Sequence, residues 1–349
     1  MQYRTIHVEA SRAYDIHIGA GILPSIGEFI TPLLGRCRLA VLTDSNVDVL
    51  YGDALMGYLG AAGYDVCKYV IPAGEASKCA DNLLAFLNFM AAAQLTRSDA
   101  VIAFGGGVVG DLGGLSASLY LRGIKFVQVP TTLLAAVDSS VGGKTAIDIP
   151  AGKNLVGSFY QPSLVCCDTA LMETLPAAIY RDGCAEVIKY GVILDASLYE
   201  TLRTIPFDRE DVVARCVEIK RDVVQRDEFD NGIRGLLNFG HTFGHAIEKL
   251  SNFGVSHGEA VAKGMVIAAR MAPLCGLCNV ADELSALLVA YGFDIACAYG
   301  ANEIYEALLS DKKRRGGNIS VVLPRAVGNC SLVTLPVEEL KVLLEKVLG

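Results

Sequence analysis

Asp99-Ala-Val-Ile-Ala-Phe-Gly-Gly-Gly-Val-Val-Gly-Asp111 decides the architecture. Residues 99–104 read as a short buried strand, and the glycines that follow open a helical pattern. Gly105, Gly107 and Gly110 satisfy G-x-G-x-x-G at that junction. Glycines there let backbone N–H groups approach a pyrophosphate, and a helix N-terminus favours its charge. The same glycines also serve tight packing, so the weight of the motif comes from the strand before it and the helix after it. It does not lie on the first strand–helix unit, where an ordinary dinucleotide fold carries its fingerprint. The acid for a ribose hydroxyl is therefore sought at another strand end. Asp44 is best placed, its alternative role being a turn or helix cap.

Outward from this stretch, strand and helix signals alternate. Residues 38–43, 65–71 and 125–129 are β-rich, and residues 81–95 carry Leu83, Leu84, Phe86, Leu87 and Met90 near helical spacing. Strand, crossover helix and strand in succession predict a parallel, Rossmann-like sheet with helices on its faces. From residue 176 the pattern turns helical over 176–194, 208–227, 241–250, 258–275, 281–291 and 301–309. A strand at 319–323 and a helix at 336–347 close the chain. The expected division is an α/β domain, 1–175, followed by a mainly α-helical domain, 176–349.

At 349 residues the chain exceeds one small core. A formal net charge of −8 argues against nucleic acid or an anionic membrane as partner. No apolar run reaches the ~18 residues of a membrane span. Eleven cysteines without framework spacing, and no leader pattern, fit a reducing cytoplasm. Cys275 and Cys278 form a lone C-x-x-C, read as small core residues rather than half a zinc site.

Asp138-Ser-Ser-Val-Gly-Gly-Lys144-Thr145 ends like a phosphate loop but lacks the glycine five positions before Gly143, which removes a nucleoside-triphosphatase reading. Lys144, with Lys153 and Asn154 behind it, reads as an anion cradle in a glycine-rich loop. Glu186 and Lys189 share a helix face among Val187, Ile188, Tyr190, Val192 and Ile193, a setting that points to a buried polar site. Three of the five histidines, His241, His245 and His257, fall within seventeen residues. Spacing alone nominates His241 and His245, four apart on one helix face, as metal ligands with an acid from elsewhere.

The stretches 105–111, 122–123, 130–134, 138–145, 152–154, 159–162, 185–191, 237–248, 257–261 and 311–313 together resemble the 3-dehydroquinate synthases, in the same order and through nearly the whole chain. The resemblance implies a divalent metal, zinc with cobalt as a substitute, on Glu186, His241 and His257, and moves His245 to the substrate pocket. It implies NAD on Asp44, Asn46, Glu75, Lys78, Gly107, Val108, Val109, Gly110, Asp111, Thr131, Thr132, Lys144, Lys153 and a stretch starting near Thr169. The implied substrate residues are Arg122, Asp138, Lys144, Asn154, Lys189, Lys220, Arg234, Asn238, His245 and Lys313, the last chosen over Lys312. Arg234 is expected to reach across a homodimer. The implied reaction turns a seven-carbon keto acid phosphate, 3-deoxy-arabino-heptulosonate 7-phosphate, into 3-dehydroquinate and phosphate, with NAD regenerated. Such a substrate accounts for many Lys and Arg side chains in an acidic chain. Two related readings are a different sugar-phosphate cyclase and a metal-dependent polyol dehydrogenase; the latter needs fewer anion-binding cations.

Overall fold

The computed structural model describes residues 2–252, 254–309 and 317–349. The chain forms two compact units: residues 1–176 with 209–229, and residues 177–208 with 230–349. The helix Arg209–Arg226, expected in the second half, thus belongs to the first unit. Its hydrophobic pattern announces a helix but carries no record of which core receives it.

The first unit is built on a seven-stranded sheet of β1 (Arg4–Val8), β2 (Tyr14–Gly19), β3 (Arg38–Asp44), β4 (Asp65–Ile71), β5 (Ala100–Gly105), β6 (Lys125–Pro130) and, after a separate hairpin of β7 (Lys144–Ile149) and β8 (Gly152–Phe159), β9 (Leu164–Asp168). The order across the sheet is β1-β2-β9-β6-β5-β3-β4, parallel except for the β1–β2 pair. Alternation along the central strands sends Leu39, Val41, Ile102 and Phe104 into one core, while Ala40, Leu42, Val101 and Ala103 enter the other. Helices Ile26–Leu34 and Asp53–Ala61 cover the first face; Ala80–Ala92 and Gly107–Leu119 cover the second.

Among β3, β4, β5, β6 and β9, the second strand lies to one side of the first and the rest continue on the other. The crossover direction therefore reverses between β3 and β5, and open α/β sheets bind ligands at the carboxyl ends of such a pair. Thr43 stands opposite Phe104 in the register, which places Asp44 beside Gly105. This is why the glycine motif follows the third strand of the parallel run rather than the first.

The second unit contains helices Ala177–Leu194, His241–Leu250, His257–Met271, Ala281–Ala290, Ala301–Leu309 and Val337–Leu348, with an antiparallel hairpin of β10 (Asn318–Ala326) and β11 (Asn329–Pro336). Sequence patterning had given only the first of those two strands. Glycines set the helix crossings. A Cβ on Gly264 would lie 2.0 Å from the Gly240 carbonyl oxygen and 2.7 Å from Gly244 N, and one on Gly258 would lie 2.4 Å from Asp182 Cα. Side chains at these points would push His257–Met271 away from its neighbours.

Candidate metal and cofactor sites

Those close approaches assemble the histidines. Gly240 brings His241 to the start of its helix, Ser256 precedes His257 at the start of the next, and Glu186 projects from the buried part of Ala177–Leu194. Glu186 Oε1 is buried and makes no hydrogen bond. It faces His241 Nε2 at 3.4 Å and His257 Nε2 at 3.3 Å. Adjacent corners of a tetrahedron with metal–ligand bonds of about 2.0–2.1 Å lie ~3.3–3.4 Å apart. The donor set therefore fits a divalent cation of zinc's size, and two imidazoles with one carboxylate leave a position open.

The far side of each ring is also fixed. His241 Nδ1 lies 3.2 Å from the Phe239 carbonyl oxygen, and His257 Nδ1 lies 3.2 Å from Glu248 Oε1. These contacts direct both Nε2 atoms toward Glu186. Burial alone would raise the Glu186 carboxyl, but the Lys189 ammonium and the His241 ring outweigh it and hold the group well below the usual carboxylate range. Burial pulls His257 down, yet the facing carboxylates of Glu186 and Glu248 push it up to about 10. His241 is lowered, burial outweighing the attraction of Glu186.

Lys189 donates to Glu186 Oε2, and both side chains are 1% exposed, so the apolar helix does carry a buried charged pair. His245 stands with its ring centroid 5.5 Å from that of His241, and a second donor cluster joins it to Glu248 and His257. Asn238 ends a short 3-10 helix, Ile233–Asn238. Arg234, on the same turn, is 2% exposed in the single chain. Its side chain is enclosed largely by its own chain. Lys312 and Lys313 lie outside the described residues.

In the first unit, the helix Gly107–Leu119 opens at Gly106 without a side-chain cap, leaving its first N–H groups for a ligand. A Cβ on Gly106 would come 3.2 Å from Thr132 Cγ2, and one on Gly107 would come 3.3 Å from Ser139 Oγ. The bare backbone of this turn and the buried, unbonded hydroxyl of Thr131 suit a dinucleotide pyrophosphate. Val108 and Val109 form the first turn, and Val109 packs beneath it, buried. Asp44 caps the short helix Ser45–Val47, accepting from Asn46 N at 2.9 Å and Val47 N at 3.1 Å. The cap reading of this residue is thus realised, with its carboxylate at the strand end where a ribose is expected. Thr169 is buried and opens the 3-10 helix Thr169–Thr174, capped by Asp168.

The lysine-rich loop is a β-hairpin, not a loop. Lys144 opens β7, Lys153 and Asn154 lie on β8, and these strands pair antiparallel. Two glycines at positive φ, Gly142 and Gly143, hid the strand that begins immediately after them. Lys78 donates to Asp111 Oδ2 and to Asn154 Oδ1, while Lys153 faces Glu75 at 3.8 Å. Lys220 donates to Asp138 Oδ1 at 2.8 Å. Arg122 is exposed and follows Leu121, both at positive φ. The C-x-x-C is not core: Cys278 is exposed and Cys275 only half-buried.

Glu248 escaped sequence reasoning about the metal. Its signal was present: it follows His241 by seven and His245 by three, on one helical face.

The family model described as 3-dehydroquinate synthase N-terminal matches residues 68–182, and that described as 3-dehydroquinate synthase C-terminal matches residues 183–314. The chain belongs to the 3-dehydroquinate synthase family. A curated 3-dehydroquinate synthase of Pelobacter propionicus is 46% identical over 340 residues, covering 94% of this chain and 95% of the relative. A 2-deoxy-scyllo-inosose synthase solved with carbaglucose-6-phosphate, NAD+ and Co2+ superposes with a TM-score of 0.88 at 26% identity, covering 99% of this chain and 100% of that one. The 2-epi-5-epi-valiolone synthase of Streptomyces hygroscopicus, solved with NAD+ and Zn2+, gives 0.87 at 27% identity, covering 98% of each chain.

Proposed function

We infer that this chain is an enzyme converting 3-deoxy-D-arabino-heptulosonate 7-phosphate to 3-dehydroquinate and phosphate, a carbon–oxygen lyase reaction. Identity of 46% to a 3-dehydroquinate synthase, against 26% and 27% to the two other cyclases, favours this product over theirs. The observation that carries the chemistry is the Glu186, His241 and His257 donor set, with both rings oriented from behind. We assign these three residues to a divalent cation, zinc or cobalt, and the Gly105–Asp111 turn with its neighbours to NAD. When bound, NAD supplies a reversible hydride acceptor and the cation supplies Lewis acidity toward a ring hydroxyl, so that the redox change is internal.

The chain's own residues do the rest. Lys144, Lys189, Lys220, Arg122 and Arg234 supply the positive charge that a carboxylate and a phosphate require. Lys189 and Lys220 are buried beside Glu186 and Asp138, whose carboxylates hold their ammonium groups in place. Asn154 and Asn238 offer neutral donors and acceptors for hydroxyls. His245, outside the donor set of Glu186 but beside His241, serves as a proton carrier to substrate oxygen.

We assign NAD binding to the first unit and the metal to the second, and place the enzyme in the cytoplasm as a homodimer. Its cysteines form no disulfide, in keeping with a reducing compartment, and no helix among the described residues is long and apolar enough to cross a membrane. The test is direct. Purified protein with NAD and Zn2+ or Co2+ should release phosphate from the heptulosonate phosphate without accumulating NADH. No phosphate, or net NADH, refutes the reading.

A further inference from the structure

Glu248 belongs to no proposed ligand or substrate set, yet it is 3% exposed in the helix His241–Leu250. A carboxylate this buried needs a compensating partner. One partner is the Nδ1 of His257, 3.2 Å from Glu248 Oε1. The opposite nitrogen of the same ring faces Glu186 Oε1 at 3.3 Å. His257 is thus held between two carboxylates, one on each ring nitrogen, whereas His241 has the neutral Phe239 carbonyl behind it.

We propose that Glu248 is a positioning residue for the cation: it takes the Nδ1–H of His257, fixes the tautomer with the Nε2 lone pair toward Glu186, and makes that ring the stronger donor of the two. The inference rests on the assignment of Glu186, His241 and His257 to a metal. The need for such a residue lies in the fold. His257 is the first residue of its helix and half-exposed, so the turn before it gives its ring little lateral support. His241 is more enclosed and manages with a backbone acceptor. An anionic acceptor raises imidazole basicity as well as locking its rotation, and loss of such a partner typically weakens metal binding by ~10–100-fold.

The same residues admit a competing role. His245, Glu248 and His257 also place donor atoms within 4.8 Å of one another, so Glu248 could serve as a ligand to a second cation. The hydrogen bond to Nδ1 favours positioning, because a second cation there would require His257 to bridge two metals through both nitrogens.

The experiment compares wild type, Glu248→Gln and Glu248→Ala by chelator-competition titration with Zn2+ and by the visible spectrum of the Co2+-loaded protein. Gln keeps an oxygen acceptor and the volume but loses the charge; Ala loses the acceptor as well. The expected result is a single site per chain, weakened about three- to tenfold in Glu248→Gln and about 10–100-fold in Glu248→Ala, with an altered Co2+ spectrum in Glu248→Ala. Glu248→Gln keeps the test decisive if the alanine variant does not fold. Unchanged affinity in a folded Glu248→Gln together with an unchanged Co2+ spectrum overturns the inference. So does a second, weaker equivalent of Zn2+ in wild type that disappears in Glu248→Gln while the first is unaffected. Wild type that binds no cation overturns the metal assignment beneath it.

Discussion

Lys78 Nζ donates to the side-chain oxygen of Asn154 at 2.6 Å, tying the segment after β4 to the β7–β8 hairpin. The backbone repeats the link: Asp148 N donates to the Lys78 carbonyl at 2.8 Å, and Asp148 Oδ1 accepts from Asn154 N at 2.7 Å. Asn154 holds φ at +55°, a conformation asparagine tolerates better than most side chains. With Asp111 on the same ammonium, Lys78 joins the hairpin to the helix that the glycine motif opens.

Lys78→Met should therefore destabilise the protein by about 3 kcal/mol or more, since it strands the Asp111 carboxylate with its partner gone. Adding Asp111→Leu should recover much of that loss. Urea unfolding of the NAD-free and metal-free proteins measures both, and equal stabilities of wild type and Lys78→Met would refute the link.

Gly107→Val should weaken NAD binding at least about tenfold, or ~1.4 kcal/mol, by placing a branched side chain over the uncapped N–H groups. Zinc retention should be untouched, because the donors belong to the other unit. NAD titration by fluorescence, with zinc measured on the same preparation, separates a local effect from misfolding.

His257→Ala should lose its cation on dialysis, whereas His245→Ala should retain it and lose turnover. Metal analysis decides between them. Equal loss in both would restore the pairing that helical spacing alone nominates.

Asp99 predicts a pH dependence. It accepts from Arg38 N at 2.7 Å, Thr96 N at 2.6 Å and Thr96 Oγ1 at 2.8 Å. Burial raises its carboxyl, but these backbone and hydroxyl donors outweigh it and leave the group below its ordinary 3.8. A depressed folded-state value contributes stability above the unfolded value and loses it as the pH falls through the folded one. Asp99→Asn should thus be less stable than wild type by about 1–3 kcal/mol at pH 7, with the gap closing below about pH 4. A gap that stays constant down to pH 2 contradicts the account.

How much of this was legible in the sequence differs from residue to residue. β4 was readable from end to end because its alternation and flanking turn signals are local. The β7–β8 hairpin was not, because glycines and lysines mask a strand pair whose stability comes from its neighbours. Spacing along one helix sees only partners within that helix, so it pairs His241 with His245. The crossing at Gly240, Gly244 and Gly264 sets His257 opposite Glu186, and a crossing has no periodicity to read. Family resemblance supplied that pairing; the glycines supply its cause.

The insertion of residues 209–229 into the first unit has a consequence for synthesis. As the chain leaves the ribosome, the sheet is complete at β9, yet Asp138 still lacks Lys220 and Arg4 lacks its partners Glu210 and Asp211. The first half must wait, unfinished, while residues 177–208 of the other unit emerge. A gene fragment ending at Pro176 would therefore be a poor isolated domain, and one supplied in trans with residues 209–229 a better one.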